Sequence, residues 1–132
     1  MELKISKEGV FIPGFNGNEK LPATDQITVR YKIPTVAMKN RCRSKPQAKS
    51  IASRDGKVER LEITIEKDDV ATLNEMLISI SGCFYSEDGG KSRAITGVQS
   101  LIDAPVAFEP LLKEIVAEFD RILNDSELNE KN

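Results

Sequence analysis

The chain has 132 residues, of which 39% are hydrophobic and 30% charged, with a formal net charge of −2. That is enough chain for one domain with a real core, and the near-neutral balance gives no overall pull toward nucleic acid or an anionic membrane. Histidine is absent, which excludes Ser-His-Asp and Cys-His catalysis and every His-containing metal site.

Other exclusions follow from pattern. No apolar run approaches the roughly 20 residues that a spanning helix needs. The opening Met-Glu-Leu-Lys-Ile-Ser-Lys alternates and has no apolar signal-peptide core, so an intracellular protein is expected. Cys42 and Cys83 are then expected to stay reduced, and two cysteines alone do not close a zinc site.

Glu2 to Phe11 alternates, with Leu3, Ile5 and Val10 on one face and Lys4 and Lys7 outward, and reads as a strand suited to a sheet edge. Pro13-Gly14-Phe15-Asn16-Gly17-Asn18 is turn chemistry, because Asn-Gly tolerates positive φ. Gln26 to Ile33 is the clearest half-buried strand, with Ile27, Val29, Tyr31 and Ile33 on one face and Thr28, Arg30 and Lys32 on the other. Pro34 ends it. Thr35 can cap a short helix running from Val36 to about Arg43, which Pro46 stops.

Residues 30–60 carry ten Lys and Arg against two acidic residues, a local charge of +8. Two readings stand side by side: a patch for nucleic acid or an acidic protein, and a solvated segment that balances the chain's own acidic helices. Tyr31 is the lone aromatic available to stack on bases, so no specific nucleic-acid site is expected. Ser50 to Lys57 reads as a loop with an Asp55-Gly56 turn, and Val58 to Glu66 as a third strand with Leu61, Ile63 and Ile65 on one face.

Asp68 or Asp69 can cap a helix over 68–81 whose stripe is Val70, Leu73, Leu77 and Ile80, with Met76 beside them and Gly82 as its C-terminal stop. Cys83-Phe84-Tyr85 reads as extended and Asp88-Gly89-Gly90 as a turn. Thr96 can cap a short helix through Val98, Leu101 and Ile102. The best-written element is last. Phe108, Leu112, Ile115, Phe119 and Ile122 recur at steps of four and three over a helix at 107–124. Leu111, Val116 and Leu123 flank that stripe and widen it. Pro110 fits the first turn, and Glu109 precedes Lys113 in the favourable order for an ion pair. Leu77, Ile115 and Phe119 are expected to be buried.

The fold class expected is α+β. It has a small antiparallel sheet of about three strands (near 2–11, 26–33 and 58–66), with the two main helices packed on one face. Residues 1–124 make a single domain and 125–132 a polar, acidic tail. The acidic pairs Asp68/Asp69 and Glu87/Asp88 lack the ligand spacing of a calcium loop. Gly89-Gly90 lacks the spacing of a phosphate-binding loop. No catalytic, cofactor-binding or metal-binding constellation is read.

Two stretches carry a resemblance. One is the N-terminal strand, Gly14-Phe15-Asn16-Gly17-Asn18, Leu21-Pro22 and the strand Gln26-Ile27-Thr28-Val29-Arg30-Tyr31 ending at Pro34-Thr35. The other is Asp88-Gly89-Gly90, Ile95-Thr96-Gly97-Val98, a short helix, Pro105 and the long C-terminal helix. This order resembles the tail assembly chaperones of long-tailed bacteriophages and prophages; the basic stretch Lys39 to Arg54 has no counterpart there. The resemblance implies a non-enzymatic, cofactor-free factor in the host cytoplasm that binds the tail tape measure protein or tail tube subunits. Homo-oligomerisation stays open. A holding function needs an exposed apolar groove or helix face, and Leu111, Val116 and Leu123 are the expected partner-binding residues. Competing readings are a structural virion protein (a connector or tail completion protein) and a small nucleic-acid-binding accessory using residues 30–60.

Overall fold

A computed structural model describes the backbone of residues 1–42, 45–52, 58–66 and 69–130, and the side chains of 1–42 and 69–124. Strands β1 (Glu8–Phe11), β2 (Thr28–Lys32) and β5 (Leu77–Ser81) form an antiparallel sheet in the order β1-β2-β5. Strands β3 (Lys45–Ala52) and β4 (Val58–Glu66) pair with each other, as do β6 (Phe84–Ser86) and β7 (Ser92–Ala94). The helices are α1 (Val36–Cys42), α2 (Asp69–Met76), α3 (Val98–Ile102) and α4 (Glu109–Glu130), the last entered through a 3-10 turn at Val106–Phe108. The fold is α+β.

The main sheet has one dry face. Alternation places Phe11, Val29, Tyr31 and Ile80 on the helix side, all in or against the core, while Glu8, Val10, Arg30 and Ser81 stay exposed. Helix α4 lies across the dry face, with Phe119 5.6 Å from Tyr31 between ring centroids. Leu111, Ile115, Val116 and Phe119 of α4, Leu73 and Met76 of α2, and Leu101 of α3 complete one cluster. Leu77, Ile115 and Phe119 are buried as expected. Glu109 and Lys113 pair at 3.1 Å one helical turn apart, and the Thr35 hydroxyl caps α1 by accepting the Met38 N–H at 3.1 Å. In α3 the cap comes from inside the helix: the Ser100 hydroxyl accepts the N–H groups of Thr96 and Gly97, at 2.9 and 3.0 Å.

The expected helix over 68–81 is two elements. Helix α2 stops at Met76, and Leu77–Ser81 is a strand paired with β2. The register runs Val29 to Ile80, Arg30 to Ser79 and then Tyr31 to Leu77, so Ile78 is the extra residue of a β-bulge. A bulge resets which residues face inward. Here it turns both Leu77 and Ile80 into the core, and their three-residue spacing imitates a helical stripe. Gly82 follows at φ +75°, turning the chain after a strand rather than capping a helix.

The third strand of the main sheet is therefore β5 and not 58–66, which pairs instead with β3. Residues 45–52, read partly as a stop and partly as a loop, form that partner strand. Its register sets Lys45 opposite Glu66 and Lys49 opposite Glu62. The expected Asp55-Gly56 turn, the Asp68 cap and the last two residues of the tail lie outside the described residues. Helix α4 continues through the first part of the polar tail to Glu130, with no Pro or Gly to interrupt it there.

Candidate docking surface

The surface begins with the loop between β1 and β2. Asn16 and Gly17 take positive φ (48° and 78°), which only Asn or Gly adopts readily. That turn inserts Asn18 into the interior, 2% exposed. Its Nδ2 donates to the Pro13 and Ile27 carbonyls at 2.8 and 3.0 Å, and its Oδ1 accepts the Ile27 N–H at 2.5 Å. One buried amide thus staples both ends of the loop. Gln26 adds two outer bonds, donating to the Glu19 and Leu21 carbonyls at 3.2 and 3.1 Å. The Gly14 N–H donates to the Glu114 carboxylate of α4 at 2.5 Å. The loop is fixed to the helix at one end and to β2 at the other, so Phe15 and Leu21 are held in place.

Phe15 meets Phe108 at 5.8 Å between centroids, and Tyr85 of β6 meets Phe108 from another side at 5.5 Å. Such tilted contacts suit the ring quadrupoles. Beside this trio runs a cleft of about 270 Å³ lined by Phe15, Asn18, Leu21, Ile27, Cys83, Phe84 and Phe108, with Asp25 on its edge. Past Phe108 lies a second cleft of about 290 Å³, lined by Leu101, Ile102, Pro105, Val106, Glu109 and Leu112. Phe108 is the wall between them. The rims carry large apolar side chains in water: Phe84 is 65% and Val106 80% exposed, with Leu21 and Ile102 also exposed. Contiguous exposed apolar surface of this kind, rimmed by a few polar groups, marks an interaction site.

Leu111, Val116 and Leu123 are not part of it. All three are 5% exposed or less and belong to the core. The expectation that they stay available for a partner is corrected: α4 is rotated so that its flank points into the domain, leaving Phe108, Leu112 and Ile122 half-buried at the edge. The exposed residues that sequence reading missed, Phe84 and Val106, sit singly in short elements with no periodicity to single them out. The Gly14 to Asn18 turn was the one available signal.

A third cleft, about 580 Å³, is lined by Arg41, Cys42, Ala71, Asn74 and Glu75. Arg41 donates from Nε and a terminal nitrogen to both Glu75 oxygens, at 2.8 and 2.9 Å. This bidentate bond holds the Glu75 carboxyl below its usual range and raises Arg41. Burial, then the nearby Glu75 carboxylate, pushes the Cys42 thiol up, and burial alone does so for Cys83. Both cysteines are free thiols. In the +8 segment Arg30 also has a partner, Glu8. Among the described residues no group of three or more acidic or cysteine side chains could hold a metal ion, and no helix is long and apolar enough to cross a membrane. No protein-family model, curated protein or solved structure matches this chain.

Proposed function

We propose that the protein is a non-enzymatic holding factor, similar to the tail assembly chaperones of long-tailed phages and prophages. In this reading it keeps a tail component such as the tape measure protein soluble in the host cytoplasm, without a cofactor. The observation that carries the reading is the set of exposed apolar side chains, Phe84, Leu21, Ile102 and Val106, that rim the two clefts on either side of Phe108. An amphipathic helix docks by laying apolar anchors one turn apart into such a groove. The order of elements from Gly14 to Pro34 and from Asp88 to α4 supports the same reading.

Co-expression with a tape measure protein tests it. The wild-type chain is expected to co-purify with that protein. The Phe84→Glu/Val106→Glu variant is expected to keep its circular dichroism spectrum and lose the partner, because both side chains already face water. A folded variant that still binds places the partner elsewhere. A wild-type chain that never co-purifies removes the reading itself.

A further inference from the structure

Residues 2–11 alternate like a strand, yet the ladder within the monomer takes in only Glu8–Phe11. Strand β1 is the outer strand of the main sheet, and among the described residues no second strand joins it. The Ile33 N–H donates to the Lys7 carbonyl at 3.2 Å, and Gly9 and Phe11 follow opposite Tyr31 and Val29. Backbone groups of an antiparallel strand alternate between its two sides. The odd-numbered residues therefore bond to β2, and the N–H and C=O groups of Glu8 and Val10 point away from the sheet. Ahead of them Leu3 and Ile5 are 74% and 70% exposed. An unpaired edge running into an exposed apolar arm is a template for another strand.

We propose that a second copy of this chain covers the edge, residues 2–10 of the two copies pairing antiparallel about a two-fold axis at Ser6. The charges select this register. With residues 2–7 extended in line with β1, only even-numbered residues present outward backbone groups, so even must face even. Centred on Ser6, Lys4 of each copy lies opposite Glu8 of the other, twice by symmetry. Centring on Ile5 sets Glu2 against Glu8; centring on Lys4 or Glu8 sets a like charge against itself; centring on Lys7 sets Lys4 against Val10. Opposite charges directly across a ladder stabilise it and like charges oppose it.

On the other face the same register sets Ile5 opposite Lys7, whose long stem is apolar. Leu3 falls opposite Gly9, and Gly9 is where the Tyr31 ring lies against the strand: a Cβ there would be 2.2 Å from the ring. Leu3 of the second copy therefore packs beside Tyr31, and Met1 beside Phe11, extending the dry face of the sheet. Glu8 already pairs with Arg30, so Lys4 completes a line of three alternating charges on the wet face. The contact is isologous, as a two-fold dimer requires, and it merges two three-stranded sheets into one.

Light scattering after size-exclusion chromatography of the full chain, over roughly 1–100 μM, is expected to give a dimer mass. Ser6→Pro removes an outward N–H from both copies at the axis. Ser6 is exposed and lies outside β1, so this variant keeps its spectrum and runs as a monomer. Lys4→Glu weakens the dimer by roughly tenfold or more, and Lys4→Glu/Glu8→Lys restores it. A wild-type chain that is monomeric throughout the range, a Ser6→Pro dimer, or a dimer indifferent to Lys4→Glu overturns the proposal.

Discussion

Tyr31 occupies a slot between Gly9 and Phe119, and the slot exists because Gly9 has no side chain. Gly9→Ala must displace a ring wedged against the core, and overpacking of that kind costs about 1–3 kcal/mol; a melting curve reads it directly. The alternation of Gln26 to Ile33 placed Tyr31 on the inner face, but nothing local to Gly9 revealed the ring above it. The cysteines make a second test at this scale. Cys83 is buried and Cys42 half-buried, so a thiol reagent on the folded protein is expected to label Cys42 and spare Cys83 until the chain unfolds. Burial raises the Cys83 pKa in the folded state. Its contribution to stability is therefore complete below the unfolded thiol value, about 8.5, and is lost as pH climbs through the folded value. The melting temperature is expected to fall more steeply above that pH in the wild type than in Cys83→Ala.

At the scale of the element, a helix and a bulged strand can share one apolar spacing. Leu73, Leu77 and Ile80 recur at steps of four and three, and a single helix explains them as long as the bulge at Ile78 is unknown. The strand wins because β2 offers a ladder and α2 ends where that ladder begins. Helix α4 shows a different limit. Its existence and its buried centre at Ile115 and Phe119 were legible, and Phe119→Ala is expected to cost about 3–5 kcal/mol in thermal or denaturant unfolding. Its rotation about its own axis was not, because a stripe wide enough to include Leu111, Val116 and Leu123 admits several phases. Those three are core, so Leu111→Glu/Val116→Glu is expected to abolish the cooperative melt, burying two carboxylates without partners.

For the whole molecule, the surfaces left for other chains differ in chemistry. The rims of the clefts around Phe108 carry exposed Phe84, Leu21, Ile102 and Val106, so binding through them is expected to change little with salt. The +8 segment is opposed at long range by an acidic remainder, and two of its cations, Arg30 and Arg41, are already paired within the monomer. No nucleic-acid complex with a dissociation constant below roughly 1 μM is expected at physiological salt in a gel shift. A tight complex that weakens steeply with salt would contradict that.

Period-two and helical spacing, proline positions and turn residues by themselves determined the α+β class, the strand over Thr28–Lys32, the caps and turns near Thr35 and Asn16-Gly17, and the buried middle of α4. Each is set by contacts within a few residues, where local sterics and amphipathic period act. Which strand completes the main sheet, which side of α4 meets the core, and which apolar side chains stay in water were decided only by tertiary packing. Those outcomes depend on pairing partners some fifty or more residues apart, such as Val29 with Ile80 and Gly14 with Glu114. No local spacing encodes the other half of such a pair.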